Sequence, residues 1–350
     1  DLDSIEANLK LWLDAKNINN NNNSGLSNNS NISKWIDLSE NGSHVIQTNT
    51  SYQPNYTLDS NGVDGVEFSQ TGVMQHDHLY VEKVLNPKQY NYTIIAVIDP
   101  KSDKYFVIFN QVEMYNSTRV DTSHSFVFAN TKFFVDEYLP GGGGVHSSQA
   151  LINSNEKNIM MLTRSNSNIS FLHNGKFINK NKYYNESYTG NQDLKTLIGT
   201  RIHQAKHWYY GSALTGKIHE YLVFDNTLSE QDLIKINCYL AKKWGLTASV
   251  DSDGDGYTDA EEAGKSSPID PTSIPNVPPT DIALSSTSVA ENMASNTTVG
   301  TLSGTDPDGN ISSYEILAGD TTKFNISGTT LRTSESFNFE VKSTYTVTIR

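Results

Sequence analysis

The sequence predicts an all-β protein built from two β-sandwiches that are joined by a short acidic segment. Short runs of β-branched and aromatic residues alternate with clusters of Asn, Gly and Ser, as in antiparallel sheets with tight turns. The 350 residues exceed what one ordinary core holds, and the composition shifts near residue 250. We therefore expect two β-domains, residues 1–247 and 276–350, with residues 248–275 as a linker.

The net charge narrows the classes of ligand. With 39 acidic and 26 basic residues the formal net charge is -13, which argues against nucleic acid and anionic membrane surfaces as partners. Calcium or a neutral ligand is expected instead. Cys238 is the only cysteine, so no internal disulfide can form, and its helical context predicts a small buried side chain. No apolar run is long enough for a transmembrane segment.

Residues 1–247 contain most of the predicted strands. Asn174 and Gly175 form a type I′ hairpin signal, because both turn positions favour positive φ. The Asn- and Ser-rich segment 17–33 has few apolar side chains to bury and is predicted to be a mobile surface loop. The predicted strands are Tyr92–Ile98, Tyr105–Phe109, Ser125–Phe128, Lys132–Val135, Ile159–Thr163, Ile169–Leu172 and Lys217–Phe224.

One helix is predicted at the end of this domain. Ser229 is its N-cap, apolar residues at helical spacing line one face, and Gly245 ends it. Other motifs are Leu11-Trp12-Leu13-Asp14, Lys34-Trp35-Ile36-Asp37, Gly216 to Phe224, and Lys243-Trp244-Gly245-Leu246. This combination resembles the concanavalin A-like, laminin-G-type jelly-roll modules of bacterial surface proteins. The resemblance implies a sandwich used for glycan or protein recognition, and it carries over no ligand residues.

The segment 251–262 carries the most specific motif of the sequence. Six of its twelve positions are acidic, and Asp251, Asp253, Asp255, Gly256 and Glu262 match the spacing D-x-D-x-D-G-x5-E of a calcium-binding loop. Calcium takes about six to eight oxygen ligands, which alternate carboxylates on a tightly curved loop can bring to one centre. The alternative is a solvated acidic linker. The expected ligands are Asp251, Asp253, Asp255, the main-chain carbonyl of Tyr257, Asp259 directly or through water, and both oxygens of Glu262.

The surroundings of this motif favour a spacer over a calcium sensor. Pro268 follows the loop closely, so the flanking helices of a paired EF-hand are not evident. The acidic run followed by Pro268-Ile269-Asp270-Pro271 looks like the thrombospondin type 3-like repeats that separate domains in bacterial surface proteins. The resemblance implies a calcium-stiffened linker with Asp270 as a further candidate ligand. We expect calcium to fix the angle between the two β-domains.

Residues 276–350 form a second β-rich pattern that begins at Asp281. Its last strand alternates, with Tyr345, Val347 and Ile349 on one face. Its motifs are Pro278-Pro279-Thr280-Asp281-Ile282, Val289-Ala290-Glu291-Asn292, Gly304 to Gly309, and Phe337-Asn338-Phe339-Glu340. This set is similar to the cadherin repeats of bacterial adhesins, which implies an immunoglobulin-like sandwich.

In the cadherin family, calcium lies at the junctions between successive repeats. The resemblance implies that Glu291 and Glu340 serve the junction after this domain, and that Asp306 and Asp308 face the junction before it. Neighbouring repeats of the same chain would then be partners. The preceding domain is not a cadherin repeat, so a plain turn at Asp306-Pro307-Asp308-Gly309 is the alternative.

A search for catalytic groups gives no convincing pair. Glycoside hydrolases on jelly-roll folds need two carboxylates about 5–9.5 Å apart. Asp136 and Glu137 are adjacent and so point to opposite faces of a strand, and Asp99 ends a strand beside a proline. The segment His76–His78 is expected in a polar surface loop. We therefore expect no enzymatic activity.

An aromatic cluster is the candidate for sugar binding. His207, Trp208, Tyr209 and Tyr210 lie in a predicted loop, and aromatic rings stack on the apolar faces of sugars. Burial in the core is an equally compatible interpretation, since Trp and Tyr bury well.

Two functions from different classes agree with these patterns. The first is a calcium-dependent adhesion protein, secreted or on the bacterial cell surface, with a lectin-like head that recognises a glycan or a surface protein. The second is a non-catalytic binding region of a secreted polysaccharide-degrading enzyme. Repeated cadherin-like units in the neighbouring sequence would favour adhesion, and a domain with paired carboxylates would favour the enzyme.

Overall fold

The chain folds into two units in the computed structural model. Unit 1 spans Asp1–Ile274 and unit 2 spans Pro275–Arg350, so the acidic loop belongs to unit 1. No helix among the described residues is both long and apolar enough to cross a membrane. The structure describes residues 6–59, 62–72, 75–82, 84–85, 91–101, 106–114, 120–129, 132–138, 145–149, 152, 154–166, 168–182, 194–200, 202–203, 207–208, 213–276, 279–307, 309 and 311–350.

Strands dominate the described part of unit 1. They are β1 (Leu9–Asp14), β2 (Lys34–Trp35), β3 (Val45–Ile46), β4 (Asn55–Leu58), β5 (Asp64–Phe68), β6 (Gln70–Gly72), β7 (Gln75–His76), β8 (Leu79–Glu82), β9 (Asn91–Pro100), β10 (Phe106–Met114), β11 (Val120–Ala129), β12 (Lys132–Tyr138), β13 (Val145–Gln149), β14 (Asn158–Ser165), β15 (Asn168–His173), β16 (Lys176–Lys182), β17 (Leu194–Ile198), β18 (Ile202–His203), β19 (His207–Trp208) and β20 (Gly216–Phe224). The helices are α1 (Glu230–Trp244) and α2 (Asp259–Glu262), with short 3-10 turns at Glu6–Asn8, Ala15–Asn17 and Thr50–Tyr52.

Two antiparallel sheets form the framework of unit 1. Sheet A has the order β16-β15-β14-β9-β20-β5-β4, and β1 also pairs with β20. Sheet B has the order β13-β12-β11-β10-β17-β8-β3-β2. The ring of Phe126 in sheet B lies 5.9 Å from the ring of Phe171 in sheet A, so the inner faces of the two sheets share one core. The predicted all-β sandwich fold is confirmed.

The centre of sheet A is buried on both faces because helix α1 covers its outer side. Residues 92–98 of β9 and 218–224 of β20 are therefore buried almost without interruption. Ser229 accepts a hydrogen bond from the Asp232 amide at 3.1 Å, and Gly245 ends the helix with φ of 70°. The predicted helix, its cap and its C-terminal glycine are confirmed, and Cys238 is buried as expected.

A buried charged cluster connects α1 to sheet A. Glu220 is fully buried and accepts hydrogen bonds from the indole N–H groups of Trp12 at 2.9 Å and Trp244 at 2.6 Å. The Lys243 ammonium lies 2.8 Å from carboxylate oxygens of both Glu220 and Asp14. Burial raises the pKa of Glu220 and Lys243 opposes that rise. All three of these contacts are N–H donors, and such donors favour the ionised form of the carboxylate.

A buried histidine makes unit 1 sensitive to acid. His219 donates through Nδ1 to the carbonyl of Asp64 at 2.7 Å, and burial lowers its pKa to about 4. Burial also lowers the pKa of His173 to about 4. Between pH 6.5 and about 4 these two histidines bind protons in the unfolded chain but not in the folded chain, so the stability that they contribute is complete above pH 6.5 and is lost as the pH falls through this window.

We predict that acid weakens unit 1 by about 3 kcal/mol for each of these two histidines. The measurement is urea unfolding at pH 7.5 and at about pH 4.5 in excess calcium, so that the acidic loop stays ionised. The variant His219→Phe cannot bind the proton and should show a shallower pH dependence. An unchanged pH dependence in His219→Phe would contradict this assignment.

One sequence-based expectation is corrected in unit 1. The segment His76–His78 is not a surface loop, because its three side chains are buried. Asp77 accepts hydrogen bonds from the amide and hydroxyl of Ser69 at 2.8 and 2.7 Å. The Asn-rich segment 17–33 is mostly exposed, as predicted, but its buried Asn23 donates to the carbonyl of Ala15 at 2.7 Å and anchors the loop.

Unit 2 is a smaller all-β unit. Its strands are β21 (Asp281–Leu284), β22 (Thr298–Thr305), β23 (Ile316–Gly319), β24 (Phe324–Ser327), β25 (Thr330–Thr333) and β26 (Val347–Ile349), with a 3-10 turn at Thr321–Lys323. One sheet has the order β21-β22-β25-β24, and β23 pairs with β26. The rings of Phe337 and Tyr345 stack at 4.2 Å. Tyr345, Val347 and Ile349 are half-buried and their neighbours exposed, which confirms the predicted alternation.

Candidate metal centre

The acidic loop of unit 1 is closed by main-chain hydrogen bonds between its two ends. The Asp259 amide donates to the carbonyl of Val250 at 2.8 Å, and the Ala260 amide donates to Thr247 at 3.0 Å. Helix α2 begins here with a capping box, in which Thr258 and Glu261 satisfy each other's main-chain amides. Residues 251–258 therefore form a tight loop with fixed ends.

Three aspartates of this loop point to one centre. One carboxylate oxygen from each of Asp251, Asp253 and Asp255 lies within 4.8 Å of the others. Asp251 accepts from the amides of Gly254 at 2.8 Å and Gly256 at 3.0 Å, which curls the chain around its carboxylate. Gly256 has φ of 103°, which L side chains rarely adopt, so the predicted role of this glycine in the bend is supported by the backbone.

The centre contains carboxylate oxygens that lack donors. Glu262 is fully buried, and its Oε1 accepts from the Ser266 hydroxyl at 2.8 Å. Its Oε2 is buried without a hydrogen-bond partner among the described residues, and so are Oδ2 of Asp253 and Oδ2 of Asp255. Three buried, unsatisfied anionic oxygens are costly unless a cation compensates them.

The electrostatics of the loop agree with a cation at its centre. Burial raises the pKa of Asp253, and the charges of Asp255 and Asp251 raise it further. Burial also raises the pKa of Glu262, and the negative charges of Asp253 and Asp255 raise it further. Glu262 is thus electrostatically coupled to the aspartates across the loop. An all-oxygen, strongly anionic donor set fits a hard cation such as calcium.

The other predicted ligands of the loop occupy different environments. Both carboxylate oxygens of Asp259 accept from Ser252, one from the amide and one from the hydroxyl, each at 2.9 Å. Asp270 is exposed, and its carboxylate accepts from the amide of Thr272 at 3.0 Å and from its hydroxyl at 2.7 Å. Neither belongs to the three-aspartate group. Tyr257 follows Gly256, at the position whose carbonyl the spacing assigns to the ion.

The loop packs directly on the sandwich. Asn174 and Gly175 both have positive φ, as the hairpin signal predicts. A methyl group on Gly175 would lie 2.0 Å from the carbonyl oxygen of Asp251, so only glycine allows this approach. Asn237 of α1 donates to the Ser252 hydroxyl at 3.2 Å. The hairpin and the helix therefore hold the first residues of the loop.

Sequence reasoning did not identify the two serines that support the centre. Ser252 holds Asp259, and Ser266 holds Glu262. The spacing of four residues between Glu262 and Ser266 is a signal that could have found the second contact, since such residues face each other on one helical turn. Nothing in the sequence distinguishes Ser252 from the other serines.

The residues implied by the cadherin resemblance lie in unit 2. Glu291 accepts from the amide of Phe339 at 3.2 Å, which places it beside the segment that contains Glu340. The Glu340 amide donates to the side chain of Asn338 at 3.0 Å, and its own side chain is exposed. The carbonyl of Asp306 accepts from the Gly309 amide at 3.2 Å, as in a turn. Asp308 lies outside the described residues.

The aromatic cluster is described only in part. His207–Trp208 form the short strand β19, which pairs with Ile202–His203. Tyr209 and Tyr210 lie outside the described residues, as do the side chains of His207 and Trp208. Their role in sugar binding stays a prediction.

Comparisons with known proteins give remote structural similarities. No protein-family model matches the sequence, and no curated protein does. A heptameric SAP-like pentraxin from Limulus polyphemus is 14% identical over 47% of this chain and 76% of that chain, with a TM-score of 0.36. Domain 4 of an extracellular GH43 arabinanase from Geobacillus stearothermophilus, solved with arabinotriose, is 12% identical over 63% of this chain and 94% of that chain, with a TM-score of 0.42. The CBM40 of a Ruminococcus gnavus sialidase, bound to α2,3 sialyllactose, is 16% identical over 43% of this chain and 83% of that chain, with a TM-score of 0.34. These similarities assign neither a ligand nor an activity to this chain.

Proposed function

We propose that the chain is a calcium-binding, non-catalytic recognition segment of an extracellular adhesion protein. In this proposal the sandwich of unit 1 is a head that binds a glycan or a surface protein, and the loop 251–262 is its calcium centre. The observation that carries the proposal is the set of unsatisfied buried oxygens of Asp253, Asp255 and Glu262.

Calcium suits this loop better than magnesium. Magnesium demands a small, near-octahedral shell and retains its waters, whereas calcium accepts more oxygens at about 2.3–2.6 Å in a flexible arrangement. The loop offers carboxylates from Asp251, Asp253, Asp255 and Glu262, together with main-chain carbonyls. An extracellular module of this kind would bind calcium at about 0.1–1 mM.

Calorimetric titration of calcium into the full chain tests the centre. Asp253→Ala removes one of the three clustered carboxylates and one of the unsatisfied oxygens, so it should abolish one binding event or weaken it at least about 100-fold. Asp270→Ala is the matched control, because that carboxylate faces Thr272 instead. The proposal fails if Asp253→Ala binds calcium as the unaltered chain does.

A further inference from the structure

A groove of about 470 Å³ adjoins the acidic loop on unit 1. We call it the loop groove. It lies where the hairpin between β15 and β16, the N-terminal half of α1 and the acidic loop meet. Its lining includes Lys176, Phe177, Glu230, Ile234, Asn237 and Asp253.

The loop groove has an exposed aromatic wall. The Phe177 side chain is 48% exposed, although most large apolar side chains described in unit 1 are buried. Ile234 continues the apolar surface beside it. A flat apolar ring next to polar groups is the arrangement that accepts the C–H face of a sugar ring while its hydroxyl groups are bound from the side.

The buried side-chain amide of Asn237 in the loop groove has an oxygen that accepts no hydrogen bond among the described residues. Asn237 is 1% exposed, and its Nδ2 donates to Ser252. Its Oδ1 has no hydrogen-bond partner among the described residues. An acceptor of this kind is satisfied by a hydroxyl group that enters the groove.

The charges around the groove exclude acidic ligands. Asp251, Asp253, Asp255 and Glu262 carry four negative charges, and one calcium ion neutralises two of them. Glu230 adds another negative charge, whereas Lys176 is the one cation among the described residues of the lining. An anion would be repelled even from the calcium-loaded loop, but a neutral polyhydroxylated ligand would not.

We propose that the loop groove binds a neutral saccharide, with one sugar ring on Phe177 and hydroxyl groups toward Asn237 and the loop. This inference rests on the proposed function, because it locates the ligand of the head. Bound calcium would fix one wall of the groove, since Asp251, Asp253 and Gly256 belong to both the loop and the groove wall. Saccharide binding should therefore require calcium.

A printed array of neutral and acidic oligosaccharides, read with the labelled full chain, tests the inference. The unaltered chain should bind neutral saccharides when calcium is present. This binding should disappear when a chelator removes the calcium. Phe177→Ala should weaken binding by about tenfold or more, because the stacking surface is removed. Leu58→Ala is the matched control, since Leu58 is similarly exposed, at 44%, and does not line the groove.

Calcium titration of the same variants separates the two proposals. Phe177→Ala should bind calcium as the unaltered chain does, which also shows that this variant is folded. Asp253→Ala should lose both calcium binding and saccharide binding. Unweakened binding by Phe177→Ala, binding of acidic saccharides alone, or no saccharide binding by a chain that takes up calcium would each overturn this inference. A chain that takes up no calcium would overturn the proposed function itself.

Discussion

Replacing Glu220 by alanine is expected to lower the free energy of unfolding of unit 1 by about 3–5 kcal/mol. The substitution leaves the buried indole N–H groups of Trp12 and Trp244 without their acceptor. It also removes one of the two carboxylates that face the ammonium group of Lys243. Glu220→Gln keeps an amide oxygen as an acceptor and should cost about 1–3 kcal/mol.

Urea unfolding followed by circular dichroism measures this effect. Lys10→Ala is the control, because Lys10 and Asp225 form a pair at 3.1 Å that is partly exposed to solvent. Such a surface pair should contribute less than about 1 kcal/mol. If Glu220→Ala destabilises unit 1 no more than Lys10→Ala does, the cluster does not connect α1 to sheet A in the way described.

Removing calcium is expected to lower the thermal unfolding midpoint of unit 1 by about 5–10 °C. The reference midpoint is measured at a free calcium concentration of about 100 times the dissociation constant of the loop. Without the cation, the buried oxygens of Asp253, Asp255 and Glu262 stay unsatisfied and repel one another. The effect should reach the sandwich, because the loop packs on Gly175 and bonds to Asn237.

Differential scanning calorimetry with calcium, with a chelator and with magnesium measures this shift. Glu262→Gln replaces one anionic oxygen and should reduce the stabilisation by calcium. Magnesium should give a much smaller shift at the same concentration, because it dehydrates reluctantly. Equal midpoints in calcium and in chelator would contradict a structural role for the ion.

The local features of this protein could be predicted from its sequence. The capped helix that begins after Ser229, the hairpin at Asn174-Gly175 and the acidic spacing from Asp251 to Glu262 all depend on residues that are close in the chain. Helix capping and turn conformation are local rules, and the convergence of the three aspartates likewise depends on neighbouring residues.

The features that the sequence did not reveal depend on long-range packing. Trp12 and Glu220 are separated by 208 residues, and only the pairing of β1 with β20 brings them together. Burial of His76–His78 likewise follows from the surrounding fold, although the segment is polar. Asp259 has the spacing of a ligand, but the nearby Ser252 binds both of its oxygens. Side-chain contacts of this kind cannot be read from spacing alone.

The most direct test of the calcium centre is a crystal structure of the full chain grown in millimolar calcium, with the ion located by its anomalous scattering. We expect one ion at about 2.3–2.6 Å from oxygens of Asp251, Asp253, Asp255 and Glu262. Water alone at this position, with the four carboxylates turned outward to solvent, would contradict the account.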